Sequence, residues 1–184
     1  NPGSVPTNNA SFSTYPVATW GLRAQVKPAE PWSMMAGLYY SDPALARNSA
    51  HGVDFSIRNS GGVFVIGEFG YLNNQGQGFT SLPGNYKIGA YVDSNGYEDL
   101  SRGDSMEIRG NYGFYLLLDQ MVYREDRAQS SQGLTPFATL TIAPSNRNTF
   151  PWFFSAGLSY LGLLPGRDND TAAFGLAYGK FSRY

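Results

Sequence analysis

A chain of 184 residues with 15% charged side chains, 15% aromatics, 22 glycines and a net charge of −1 is sparsely charged beside a soluble domain, in which about a quarter of residues are charged. That balance, with a pI of 5.8, excludes nucleic acid as a partner. The absence of cysteine excludes a disulfide framework or thiolate metal site, and no run of about 18 apolar residues exists to form a membrane-spanning helix.

The chain opens on Asn1-Pro2-Gly3-Ser4-Val5-Pro6, which has neither the charged start nor the apolar core of a signal peptide. The expectation is a signal already removed, or a beginning inside a longer protein. From there Gly, Pro, Asn and Ser punctuate the sequence about every dozen residues, and the runs between them alternate with period two, the mark of strands.

Residues 17–28 come first, with Ala18, Trp20, Leu22, Ala24 and Val26 on one face and Thr19, Arg23, Gln25 and Lys27 on the other. The turn from Pro28 to Pro31 cannot continue a ladder, because proline donates no hydrogen bond. In 32–40 the apolar side is Trp32, Met34, Ala36, Leu38 and Tyr40. After a polar loop at 41–50, Val53, Phe55 and Ile57 alternate with Asp54, Ser56 and Arg58. The tight-turn sequence Asn59-Ser60-Gly61-Gly62 then predicts a hairpin whose return strand, 63–72, sets Val63, Val65, Phe69 and Tyr71 against Glu68.

A loop at 73–83 precedes 84–93, where Tyr86, Ile88, Ala90 and Val92 alternate with Asn85, Lys87 and Asp93. Residues 105–123 place Met106, Ile108, Tyr112, Phe114, Leu116, Leu118 and Val122 opposite Glu107, Arg109, Asn111 and Asp119, with Gln120 an exception on the apolar side. Strands at 133–144, 150–161 and 170–179 complete a set of nine without an internal boundary, so residues 1–184 read as a single β domain. Their apolar faces carry Leu134, Ala138, Leu140 and Ile142, then Trp152, Phe154, Leu158 and Tyr160, then Phe174, Leu176 and Tyr178.

Alternation fits a soluble β-sandwich as well as a membrane barrel. Three features favour the barrel. Charges stand mid-strand on the polar face and not on the apolar one. Trp20, Trp32, Tyr40, Tyr71, Trp152, Tyr160 and Tyr178 gather near the strand ends of the apolar face, as interfacial girdles do. Short turns at 28–31, 59–62 and 145–149 contrast with longer loops at 41–50, 73–83 and 162–169, which suggests that the short ones share one side.

Five segments carry a family likeness. They are Tyr15-Pro16 with Gly21-Leu22-Arg23; Gly62-Val63 with Ile66-Gly67-Glu68 and Tyr71; Leu82-Pro83-Gly84-Asn85-Tyr86-Lys87-Ile88-Gly89; Asp119-Gln120-Met121-Val122-Tyr123-Arg124; and the run from Gly157 to Asp170. In this order, across nearly the whole chain, they resemble the carbohydrate-selective porins of the OprB type. The resemblance implies an antiparallel transmembrane barrel of about sixteen strands in the bacterial outer membrane, passing sugars and other small hydrophilic solutes, with arginines and acids at its constriction. It also implies that these nine strands are a middle section. An odd number of antiparallel strands cannot close without a parallel seam, and an open edge in lipid leaves backbone groups unpaired, so partner strands from the same or another chain are expected.

Pore-lining candidates follow from the alternation: Arg23, Lys27, Asp54, Arg58, Glu68, Lys87, Glu107, Arg109 and Asp119. Glu68 and Arg23 lead, because they also fall inside the family-like segments; the bland alternative is that such residues form ion pairs that hold the wall. Catalysis has little support. His51 is the one histidine, at a loop-to-strand junction where a surface residue is the ordinary reading; a serine triad would need a serine and an acid placed beside it, and a histidine metal cluster would need further histidines. Arg167-Asp168-Asn169-Asp170 lacks the remaining oxygen ligands of a calcium loop. Expected partners are therefore outer-membrane lipid, sugars as permeants, the remaining strands and further copies of the chain, with no cofactor and no metal. The rival functions are a soluble carbohydrate-binding β-sandwich and a non-conducting barrel scaffold that anchors a partner.

Overall fold

The computed structural model describes residues 18–42, 55–75, 81–102, 106–125 and 131–184. Within them the backbone forms strands and no helix: β1 Gly21–Val26, β2 Trp32–Ser41, β3 Gly62–Asn73, β4 Gly84–Glu98, β5 Glu107–Gln120, β6 Tyr123–Arg124, β7 Gly133–Ile142, β8 Trp152–Leu161 and β9 Thr171–Lys180. All lie in one antiparallel sheet ordered β1-β2-β3-β4-β5-β7-β8-β9, and β6 carries the line of β5 onward along β7. Spatial order is chain order, an up-and-down meander.

The alternation decides which way each strand faces. On β2, Ser33, Gly37 and Ser41 are buried while Trp32, Met34, Ala36 and Leu38 are exposed. Cross-strand partners preserve the sorting: Val65 opposes Val92, Phe69 opposes Ile88, Ile88 opposes Leu116, and Leu116 opposes Leu140. The other face holds Ser41, Asp93, Asn111, Thr141 and Ser155, each no more than 3% exposed. A single layer has no second sheet to cover it, so the face on which side chains bury one another is the concave, inner one. Polar groups are inside, and Leu22, Leu38, Ile88, Val92, Phe114, Phe174 and Leu176 stand outside, each at least 50% exposed. That is the inverse of a soluble domain, and among the described residues there is no second sheet of the kind a β-sandwich requires.

An aromatic stack anchors the inner face. Tyr39, Phe64 and Tyr91 follow one another across β2, β3 and β4 with ring centroids 6.3 and 5.6 Å apart. Gly113 on β5 makes room for the last ring, since a Cβ there would fall 2.5 Å from Tyr91.

Two irregularities shape the wall. Register shifts between Asp93 and Gly96 on β4, where two residues stand opposite Gly110 alone. This is a β-bulge, and Gly110 adopts φ +81°, a conformation open to glycine at little cost. The second is the break between β5 and β6. Gln120, the polar exception on the outer face, donates Nε2 to the Met121 and Pro83 carbonyls at 2.7 and 3.2 Å and accepts from the Tyr86 hydroxyl. The interruption falls beside Pro136, where the β7 ladder to β5 has ended at Phe137 and that to β6 has yet to begin at Leu134; a residue without an N–H is tolerated there.

The expected hairpin of 53–58 with 63–72 is corrected. Residues 53–54 lie outside the described residues, and 55–58 form no strand; β3 pairs instead with β2 and β4. Local alternation lost to tertiary contacts here, because Trp20 donates Nε1 to the Phe55 carbonyl at 2.8 Å and Tyr40 accepts from Arg58 N at 2.8 Å. Both aromatics are on the outer face, so 55–58 lies against the outside of the sheet. One strand fewer between 41 and 62 also changes which connections share an end. The turn at 28–31 lies at the end of the loops 73–83 and 162–169, and that at 145–149 at the opposite end with the connection 42–61. Neither end is uniformly short.

Candidate functional site

The inner face is the candidate site, and its centre is Glu68. One row of cross-strand partners runs Gln25, Met35, Glu68, Gly89, Tyr115, Thr141 from β1 to β7. Glu68 Oε1 pairs with Lys87 Nζ of the neighbouring strand at 3.1 Å, and Glu68 Oε2 accepts from the Tyr115 hydroxyl at 3.1 Å. Gly89 lies between them, and a Cβ there would come within 2.1 Å of the Tyr115 ring. The missing side chain lets Tyr115 lie flat over β4 and reach Glu68. The carboxylate side chain is 12% exposed and the ammonium 34%, so the pair is a partly wetted fixture of the wall with its positive end toward the interior.

Arg23 stands apart. It lies on β1 opposite Gly37, is exposed, and has no ion pair among the described residues. Asp119 accepts from Asn85 Nδ2 at 2.6 Å near one end of the sheet. The other candidates are scattered. Lys27 follows β1 in the turn and is exposed. Asp54 lies outside the described residues. Arg58 is in the connection before β3, paired with Asp42 at 3.1 Å beside Tyr40, and so is not on the inner face. Glu107 and Arg109 lie beyond the bulge, opposite Glu98 and Gly96. The shifted register puts Ile108 beside Tyr97, whose hydroxyl reaches inner-face Asp93 at 2.7 Å, and thereby turns Glu107 and Arg109 to the other side. The physical reason is the residue inserted in β4, which reverses the alternation past it.

Two polar clusters escaped the sequence reading. Asp93, Ser41 and Asn95 bury a network in which Asn95 donates to Ser41 Oγ at 2.6 Å and to Asp93 at 2.9 Å, and Ser41 donates to Asp93 at 3.1 Å. Next to it the connection between β7 and β8 reaches back: Asn148 and Asn111 exchange amide hydrogen bonds at 2.7 and 3.0 Å, and Arg147 donates Nη1 to the Gly110 carbonyl at 2.5 Å. The only sequence sign of either was a polar residue at an inner position.

The seven girdle aromatics described by the sequence all occupy the outer side, in two groups. Trp32, Tyr71 and Tyr86 are contiguous, with centroids 4.7 and 6.2 Å apart, and Tyr160 packs on Tyr123 at 6.3 Å at the same end of the sheet. Trp20, Tyr40, Trp152 and Tyr178 lie toward the opposite end. The described residues hold no cluster of ligands suited to a metal ion.

Residues 2–183 match the family described as carbohydrate-selective porin, OprB family. Porin B of Pseudomonas aeruginosa is 26% identical over 174 residues, 89% of this chain and 37% of that protein. The putative porin QuiX of Acinetobacter baylyi is 23% identical over 170 residues, with the same coverage of 89% and 37%. The chain thus spans 37% of the length of the curated relatives it matches. The high-pH structure of Pseudomonas putida OprB is similar with a TM-score of 0.77 at 22% identity, over 93% of this chain and 42% of that one; at such identity the likeness concerns the fold.

Proposed function

The chain belongs to the carbohydrate-selective porin family of the OprB type, and from that premise we propose that it forms part of the wall of a bacterial outer-membrane channel for passive diffusion of sugars and other small hydrophilic solutes. The observation that carries this reading is the reversed polarity of a single sheet. Its aliphatic outer face suits lipid, where ionic groups are costly, and its inner face suits water. The two aromatic groups supply the anchors expected at the two membrane interfaces. The edges at β1 and β9 need strand partners in lipid, and further strands of the barrel are the proposed ones.

Glu68, Lys87 and Tyr115 are the proposed selectivity cluster, with Arg23 a second positive group on the same face. Solutes must be held weakly enough to leave, and a carboxylate already satisfied by Lys87 and Tyr115 binds passing hydroxyls only in part. The test is reconstitution into planar bilayers of the complete barrel that contains these strands. Stepwise conductance that falls on addition of glucose supports the proposal. A protein that is monodisperse without detergent, or that inserts and never conducts, overturns it in favour of a soluble module or a scaffold.

A further inference from the structure

The inner face carries another polar site, at the end of the sheet where β3 turns into β4 and β6 into β7. A recess of about 320 Å³ opens there, bordered by Gln75, Asn85, Asp119, Thr135 and Ser159. Asn85 Nδ2 donates to Asp119 Oδ1 at 2.6 Å, and Gln75 Nε2 donates to Asn85 Oδ1 at 3.1 Å. This chain of amides fixes the carboxylate and leaves Asp119 Oδ2 without a partner among the described residues. Among the described residues no lysine or arginine borders the recess. Its chemistry is therefore that of an acceptor for neutral hydroxyls, and it is unfavourable to anions.

One aromatic side chain stands on the neighbouring strand, next to the recess and not in its lining. Phe137 on β7 is the cross-strand partner of Asp119. Its own partner on β8 is Gly157, which in turn opposes Gly175 on β9. A Cβ at Gly157 would fall 2.5 Å from Phe137 Cζ, and one at Gly175 would fall 3.5 Å from it. The tip of the ring thus reaches over two glycines, Gly157 and Gly175. Glycine weakens a strand and marks a close approach; here the approach is that of the Phe137 Cζ.

We propose that Phe137, Asp119 and Asn85 form a subsite for one neutral pyranose ring, a refinement that rests on the porin reading above. The C–H face of the sugar stacks on Phe137, as apolar sugar faces do on aromatic walls, and adjacent hydroxyls donate to Asp119 Oδ2 and Asn85 Oδ1. The volume is near the lower limit of ligand pockets, about 300 Å³, which is room for one ring. The site lies toward one end of the channel, apart from the Glu68 cluster, so it acts as an entry or exit station.

The experiment is single-channel recording of the complete barrel that contains these strands, in planar bilayers, with glucose and gluconate as probes. Glucose should reduce the conductance at lower concentration than gluconate. Phe137→Ala and Asp119→Asn should each raise the half-blocking glucose concentration at least about fivefold, roughly 1 kcal/mol. Phe137→Tyr keeps the ring and should remain within about twofold, which guards against a variant that merely folds badly. If glucose blocks the parent channel and Phe137→Ala blocks equally well, the subsite is wrong and the porin reading stands. Preference for gluconate also overturns the subsite. Absence of any conductance overturns both.

Discussion

Tyr115 on β5 donates its hydroxyl to Glu68 on β3 at 3.1 Å, crossing the width of β4 above Gly89. One carboxylate thus ties three strands together, through Tyr115 on one oxygen and Lys87 on the other. Because the ion pair is partly exposed, its loss should cost under about 1 kcal/mol. Its effect on permeation should be larger. Glu68→Gln leaves Lys87 uncompensated, so the reversal potential in a salt gradient should move toward anion preference, and Lys87→Met should move it toward cations. Shifts of the same sign in both variants would show that neither charge faces the permeating ions.

Gly89→Ala tests the same arrangement through space instead of charge. A methyl group within 2.1 Å of the Tyr115 ring must displace it and break the Glu68 contact. Overpacking of this kind costs about 1–3 kcal/mol. In the Tyr115→Ala background the same change should be nearly neutral, because the ring that occupies the space is gone. Folding free energies for the four proteins settle it; additive losses would mean that the ring does not lie where Gly89 lets it.

The reach of the sequence can be judged from individual residues. The faces were legible because lipid and water sort side chains one at a time: Val65 and Glu68 lie on opposite sides of β3 for reasons contained in each. The 53–58 hairpin was misread because Val53, Phe55 and Ile57 alternate like a strand, and nothing local announces that Trp20 and Tyr40 bind the backbone of 55–58 from outside. The bulge was invisible for a related reason. Ser94 and Asn95 are both polar, so an inserted residue leaves no trace in a pattern of apolar and polar positions, yet it turns Glu107 and Arg109 over. By simple alternation Phe137 falls with Thr135, Thr139 and Thr141 on the inner face, an apolar ring among hydroxyls. Its signal was the glycine at 157 and again at 175, two absences that mean something only once the strands are in register.

Asn148 and Asn111 are each no more than 2% exposed and satisfy each other's amides. Asn148→Ala would remove both of these hydrogen bonds from a buried setting, a loss of about 1–3 kcal/mol. The connection 143–151 should loosen at the same time. Limited proteolysis should then cut near Arg147 in the variant and not in the parent, and an unchanged cleavage pattern would deny this pair its part in holding the connection.

Asp99, just past the end of β4, accepts from the Ser101 hydroxyl and from Ser101 N at 3.0 Å, with Arg102 Nε 3.6 Å away. Those hydrogen bonds first, then Arg102 and Arg147, hold its carboxyl below the ordinary value, against a smaller opposing effect of burial. A group with a lowered folded pKa stabilises above its unfolded value, and that stabilisation is lost as pH falls through the folded one. The parent should therefore exceed Asp99→Asn in urea midpoint at about pH 5, and the gap should close toward about pH 2. A gap that persists unchanged over that window would place its origin elsewhere.

Val65 and Leu116 lie on the outer face within the aliphatic zone, and Thr139 lies on the inner one. If the outer face meets hydrocarbon, Val65→Arg and Leu116→Arg should each cost about 2–4 kcal/mol in bilayer folding titrations, the penalty for a cation near the midplane. Thr139→Arg adds the same charge to a face bathed in water and should cost much less. A soluble protein would reverse this order, since an arginine on an exposed face is cheap and one on a packed face is not. Equal penalties on the two sides would contradict the facing assigned here. The ordering of the three variants therefore discriminates the environment of the sheet without knowledge of what passes through it.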